Sequence, residues 1–171
     1  INNGVVTIKF ATSEVGQGFT MLAQQIARTV LGVDEVILDT IDTQVGSAGS
    51  TSASRQTWMS GGAVQVACQA ALAQLFDHVA TKFEMTRSEL EIDGTDIVDR
   101  LTQRRVSVSD AISEIDIDCT EEYHHPPTED LDENGQGNCH VAYAFVAHRA
   151  VVDVDPELGL IKVVQIATAQ D

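Results

Sequence analysis

Two short stretches of this chain carry residues whose types and spacing suit the binding of a ligand. In "SEVGQGFT", Gly16 and Gly18 flank Gln17, between the apolar run "VVTIKF" and the helix-like "TMLAQQIARTVLG". A glycine turn from strand to helix brings backbone N–H groups against an anion or a ring edge. Gln17 adds an amide with both donor and acceptor, which suits a mixed polar edge. The second stretch, "TQVGSAGSTSASRQTWMSGGAV", crowds small and hydroxyl residues from Gly46 to Thr57. Within it stand Ala53, Ser54, Arg55 and Gln56, just before a long helical pattern whose N-terminus again favours an anion. The guanidinium of Arg55 is suited equally to a phosphate and to a surface ion pair. A dinucleotide-binding unit is matched only in part: Asp39 and Asp42 stand where a ribose-binding acid is expected, but the third glycine position falls on Met21.

The elements that must position these loops follow from periodicity. Residues 5–12 alternate as a strand; Leu22, Ile26 and Val30 recur at helical spacing until Gly32, a C-cap; "EVILDTID" reads as a second strand. The second helix has the stripe Val64, Ala67, Ala71, Leu75 and Val79, with Ser and Thr available as caps. Packed side by side on one sheet, the two helices would open both loops at the same edge, where they grip opposite ends of one large anionic ligand. Downstream, "ELEIDGTDIVDR" predicts a hairpin turning at Asp93-Gly94, "VSVSDAIS" a short helix entered at Ser107 or Ser109, and "CTEEYHH" a strand. "PPTEDLDENGQGN" has the composition of a solvated loop, which makes its Gly135, Gln136 and Gly137 an incidental repeat of the first motif. "HVAYAFVAHRAVVDVD" and "LIKVVQIAT" form a last hairpin about Pro156 to Gly159, with His148 in a strand expected to be mostly buried. The fold class is α+β: mixed sheets with two main helices packed on them. Residues 1–85 are expected to form a strand–helix–strand–helix unit holding both loops, and residues 86–171 the hairpins and acidic loop.

Composition sets limits. With 43% hydrophobic residues, 171 residues can build one ordinary core or two small ones. A formal net charge of -16, with ten Lys and Arg in no basic stripe, argues against nucleic acid or an anionic membrane as partner. No apolar run approaches a membrane span, and the first residues lack the features of a signal peptide. Cys68, Cys119 and Cys139 are an odd number without a C-x-x-C pair, so the chain reads as cytoplasmic. Cys119, His124, His125, Cys139 and His140 make a Cys/His set with an unfamiliar spacing for zinc. In an extended stretch Cys139 and His140 point to opposite faces, so pairing and turn roles are the expectation and no metal ligand is assigned.

The order of "EVGQGFTMLAQQIARTVLGV", "DTIDTQVGSAGSTSASRQTWMSGGAVQVAC" and "GQGNCHVAYAFVAHRAVVDVDPELGLIKVVQI" resembles the molybdenum-binding subunit of the xanthine dehydrogenase and aldehyde oxidoreductase family over nearly the whole chain. The resemblance implies a molybdenum hydroxylase, which inserts a water-derived oxygen at an electron-poor C–H carbon and passes two electrons onward. It places Gly16, Gln17 and Gly18 at the molybdenum centre and pterin, and the backbone of Ala53, Ser54, Arg55 and Gln56 against the pterin. His148 falls in the segment "AYAFVAH" that approaches the cofactor, as an outer residue. The implied cofactor is molybdenum–molybdopterin, as the plain pterin or its cytosine dinucleotide. Iron–sulfur and FAD modules of the same enzyme are the implied electron-accepting partners, beside a small-molecule substrate.

The departures are as informative. The family's glutamate base lies in a glycine-rich motif near the end of the subunit, and these residues hold no such motif and no cluster-type cysteine spacing. The chain is therefore expected to be a fragment, with no catalytic residue of its own and a cavity wall prone to self-association. "TSASRQT" leans toward purine-oxidising members, with aldehyde-type substrates or a non-catalytic assembly module as alternatives.

Overall fold

The computed structural model describes residues 1–39, 43–46, 48–141 and 143–170, the side chains of Thr43 and Ala53 excepted. Two compact units divide the chain, Ile1–His125 and Pro126–Asp171.

The first unit is organised around two helices. Helix α1 spans Phe19–Leu31 and ends at Gly32, whose φ of 68° is the left-handed C-cap predicted, its N–H bonded to the Arg28 carbonyl. Its innermost line is Phe19, Ala23, Ala27 and Leu31. The predicted stripe of Leu22, Ile26 and Val30 flanks that line, half-buried against the same core. The reason is close approach: a Cβ on Gly61 would lie 3.2 Å from the Leu22 side chain. With alanines inward on α1 and a glycine opposite, the helix axes approach closely and the larger side chains wrap the contact.

The second helix does not start with one clean cap. A short turn α2, Ala53–Arg55, runs into a π-helical turn, Gln56–Ser60, and only then into α3, Gly61–Phe83. No Ser or Thr side chain caps α3 at Ser60. The inward residues of α3 include Val64, Cys68, Ala71, Leu75 and Val79, close to the predicted stripe.

Strands are shorter than expected. Strand β1 is Thr7–Ile8 and pairs in parallel with β2, Ile37–Leu38. The alternation of residues 5–12 persists in burial, with Val6, Phe10 and Thr12 inside, but the ladder covers only two pairs. Of the two candidate ribose-binding acids, Asp42 lies outside the described residues. Strands β3, Leu90–Asp93, and β4, Asp96–Asp99, form the predicted hairpin, but the Asp93↔Asp96 pair leaves Gly94 and Thr95 as its loop residues. The turn is one residue later than read from the sequence because Gly94, at φ 62°, takes the first loop position. Strand β5, Arg105–Ser107, adds a third strand unforeseen in the sequence and leads into α4, Val108–Ile112, with Ser107 as the N-cap residue.

"CTEEYHH" is not a strand. Residues 115–123 run extended along α3 without strand pairing: Ile117 is buried, Cys119 donates from Sγ to the Ala67 carbonyl at 3.5 Å, and the Tyr123 ring lies on Gly62. A Cβ at Gly62 would come within 2.7 Å of that ring.

The second unit is a ribbon. Strands β6, Val146–Asp155, and β7, Leu160–Gln170, pair antiparallel with a bulge between Val151 and Val152. Asp155 closes the turn by accepting from the N–H groups of Glu157 and Leu158, both at 3.0 Å. His148 was expected in a buried strand, but it is exposed, with Nδ1 3.0 Å from the hydroxyl of its cross-strand partner Thr168. No third strand or helix of this unit covers either face of the ribbon among the described residues. The acidic loop before it is exposed as predicted, and Asp132 Oδ1 holds its tip through the N–H groups of Asn134 (2.9 Å) and Gln136 (2.8 Å).

Candidate functional site

The first glycine turn is built by its own side chains. Gln17 accepts at Oε1 from the Val15 N–H at 2.7 Å and donates from Nε2 to the Ser13 carbonyl at 2.8 Å. One amide hydrogen and one lone pair of Gln17 remain for a ligand. Glu14 takes the place at the start of α1 where a bound anion was expected. Its Oε1 accepts from Gly16 (2.8 Å) and Gly18 (3.1 Å), and its Oε2 from the N–H of Thr20 (3.0 Å). The Thr20 and Gly18 N–H bonds, in that order, lower the pKa of Glu14, holding it ionised against the positive end of the helix. The sequence reading missed Glu14; the available signal was an acid four residues ahead of a helix-entering glycine. Gly16 and Gly18 have φ values of 100° and 81° and open space where a side chain would stand. The turn thus presents bare backbone and one end of Gln17, while the N–H groups of Val15, Gly16, Gly18 and Thr20 are already satisfied.

The second loop is tied down from α2 and the π turn. Arg55 Nη1 donates to the carbonyls of Ala48 (3.0 Å) and Ser50 (2.8 Å), and Gln56 Nε2 reaches the same Ser50 carbonyl at 3.2 Å. Arg55 is therefore a loop anchor on this nitrogen. Behind it runs a buried polar chain. Thr12 Oγ1 donates to Ser60 Oγ at 3.0 Å, and Ser60 Oγ donates in turn to Gln56 Oε1. Thr12, Ser60 and Gln56 are 2%, 8% and 1% exposed, so each bond is protected from water and an unmade one would be costly. This chain joins Thr12, one residue ahead of the first loop, to the second loop.

The two loops meet. Gln17, Gly18, Phe19, Leu22, Gln56 and Thr57 line one small cleft of about 100 Å³. Gln17, Gly18 and Gln56 are thereby brought together, while Arg55 lines a separate, larger cleft and His148 belongs to the other unit. Gly16 and Ser54 border neither, and of Ala53 only the backbone, at the start of α2, is described. Among the described residues no three of the His, Cys, Asp and Glu side chains are grouped to hold a metal. None of the helices described is long and apolar enough to cross a membrane.

Residues 1–171 match the model of the molybdopterin cofactor-binding domain family. Among solved structures, the Cu,Mo-containing CO dehydrogenase in its carbon monoxide-reduced state is similar, with a TM-score of 0.72 and 22% identity over 98% of this chain and 21% of that one. The reconstituted CO dehydrogenase of Oligotropha carboxidovorans superposes with a TM-score of 0.68 and 21% identity, over 93% of this chain and 20% of that one. Quinoline 2-oxidoreductase from Pseudomonas putida 86 gives a TM-score of 0.70 and 16% identity, over 98% of this chain and 22% of that one. The chain thus spans about a fifth of the length of these proteins. No curated protein matches the sequence.

Proposed function

The chain belongs to the molybdopterin cofactor-binding domain family, and from that premise we propose that its two glycine-rich loops form one wall of a pterin–molybdenum site in a molybdenum hydroxylase. The observation that carries the reading is the shared cleft, where Gln17 and Gly18 of one loop stand beside Gln56 and Thr57 of the other. The donor set fits the organic part of such a cofactor. It offers amides, a hydroxyl and bare glycine backbone, and it lacks a grouped set of metal-binding side chains among the described residues. Gln17, with one N–H and one lone pair unused, and Gly18 would hold the pterin from one side, and Gln56 and Thr57 from the other; Gly16, Ser54 and the backbone of Ala53 and Arg55, proposed as further contacts, lie outside this cleft. Glu14 keeps the first loop in shape, and the Thr12–Ser60–Gln56 chain fixes the spacing between the loops. When bound, the cofactor supplies two-electron oxidation of a C–H carbon with water as the oxygen source.

The substrate class proposed is an electron-poor N-heterocycle, with a purine favoured by the "TSASRQT" stretch. Quinoline 2-oxidoreductase, a solved relative in fold, is named for a heterocycle, which is compatible with that class. Iron–sulfur and flavin modules are the proposed electron-accepting partners, the cytosine dinucleotide is a candidate form of the cofactor, and the cytoplasm is the proposed compartment. The test uses the full-length protein. Gln17→Ala is expected to lower pterin fluorescence and molybdenum content of the purified protein without moving its unfolding midpoint, since an exposed-loop amide adds little to the core. Unchanged pterin and metal in that variant would remove Gln17 from the site.

A further inference from the structure

Residues 115–123 are held on α3 by alternate side chains. Ile115, Ile117, Cys119 and Tyr123 are buried or half-buried, while Asp116, Asp118 and Thr120 between them are exposed. Tyr123 lies on Gly62 and Cys119 on the Ala67 carbonyl, so this strap runs antiparallel to the helix. Ile117 still exchanges backbone bonds with Ile1, at 2.7 and 2.9 Å. From Asp118 to Tyr123 the strap forms no backbone–backbone hydrogen bond among the described residues, so side chains alone keep it on the helix.

One of those side chains stands beside a second thiol. Cys119 donates from Sγ to the Ala67 carbonyl at 3.5 Å, and the next residue of α3 is Cys68. Cys68 is on the inward face of α3, and both cysteines line the same large cleft. They are close enough for the charge of one to disfavour ionisation of the other. Cys139, by contrast, belongs to the second unit.

We propose that Cys68 and Cys119 join as a disulfide when the protein meets a small-molecule disulfide such as oxidised glutathione, fastening the strap to α3. Cys119, the half-buried one, reacts first: its thiolate attacks one sulfur of the small disulfide, and one glutathione thiolate leaves. The Cys68 thiolate then attacks the Cys119 sulfur, and the second glutathione leaves. Two protein thiols are oxidised, one disulfide is reduced, and the two protons given up by the protein end on the two glutathiones. Burial first, with the Cys119 charge at Cys68 and the Glu121 charge at Cys119, raises the pKa of both thiols, so the exchange quickens as pH rises. The bond closes a loop of about 50 residues and so constrains the unfolded chain. Its reach extends toward the second loop. The strap ends with Tyr123 on Gly62, two residues beyond the Ser60 whose hydroxyl holds Gln56.

The test incubates the full-length protein with oxidised glutathione at about pH 8.5, where more of each thiol is ionised. Free thiols are then alkylated and the protein is digested with trypsin and a glutamate-specific protease, which separates Cys119 from Cys139 by cutting after Glu121 and Glu122. A Cys68–Cys119 linked peptide is expected by mass spectrometry, abolished by dithiothreitol and by Cys119→Ala and retained in Cys139→Ala. In the undigested native protein, oxidation is expected to slow cutting at Glu121 and Glu122 by about tenfold, because the strap must lift from α3 to be cut. Glutathione remaining on Cys119 with Cys68 free, or a linkage through Cys139, would overturn the proposal. So would a Cys68–Cys119 bond that leaves the rate of cutting unchanged, since the strap would then not be fastened.

Discussion

The helical half of the first unit and the ribbon of the second use similar residues to opposite ends. Along α1 and α3 the apolar side chains meet each other, and Phe19, Ala23, Leu75 and Val79 are all 2% exposed or less. Along β7, Ile161, Val163 and Ile166 are each more than half exposed, and their partners Val154, Val152 and Ala150 place them together on one face of the ribbon. An apolar face of this kind is the pattern of a sheet packed against a second layer. The difference teaches that hydrophobic content alone does not locate a core. A helix pair supplies its own second layer, whereas a two-stranded ribbon must find one elsewhere.

The sharpest test of this contrast is a matched pair of truncations. Leu75→Ala is expected to destabilise the chain by about 2–5 kcal/mol, because the vacated volume is enclosed. Ile161→Ala is expected to change stability by less than about 0.5 kcal/mol in denaturant unfolding. Similar losses for both would mean that the ribbon is packed in solution. Next in size is Gln56→Leu, which leaves the Ser60 hydroxyl hydrogen without its acceptor and removes one of the two donors to the Ser50 carbonyl. A loss of about 1–3 kcal/mol is expected, together with faster proteolysis of residues 46–52. A neutral result would detach the buried polar chain from loop anchoring.

The cysteines give a chemical version of the comparison. Burial, and secondarily the nearby Cys119 thiol, pushes the pKa of Cys68 up to about 11. At about pH 8 only about a thousandth of it is thiolate, so alkylation mapped by mass spectrometry is expected to reach Cys139 of the second unit well before Cys68. Equal rates would show α3 opening freely. The smallest effect concerns Glu14. Its pKa is lowered in the folded loop, so its stabilisation is complete above the ordinary carboxylate range and is lost as pH falls through the lowered value. The amide resonances of Gly18 and Thr20 are expected to titrate together below that range in the native chain and to stay flat in Glu14→Gln. A titration surviving in Glu14→Gln would assign the change to another group.

Legibility in the sequence followed the reach of the signal. The Gly32 cap, the β3–β4 hairpin, the α3 stripe and the terminal ribbon each announce themselves within a few residues, and each was found. The centre of the α1 face was displaced to Phe19, Ala23 and Ala27 because a glycine on a different helix decides how closely α1 is approached. Gly16, Gln17 and Gly18 were legible as a turn at a helix start, but the internal bonds of Gln17 and the carboxylate of Glu14 depend on how the turn closes on itself. The buried side chain of Gln56 read as a loop residue, since its partners Ser60 and Thr12 come together only through the π turn. "CTEEYHH", residues 119–125, read as a strand, but among the described residues it pairs with no other strand.

That π turn sets an angular phase. A helix advances about 100° per residue, and a π turn holds one residue more than the α-helical winding would. Whatever precedes Gln56 is therefore rotated by roughly a third of a revolution relative to the helix that follows Ser60. With a plain α-helix through 56–60, the same residues would be wound to a different azimuth, and Arg55 would swing away from the Ala48 and Ser50 carbonyls that it now clasps. The aim of the second loop is thus set by a count of residues as much as by their kinds.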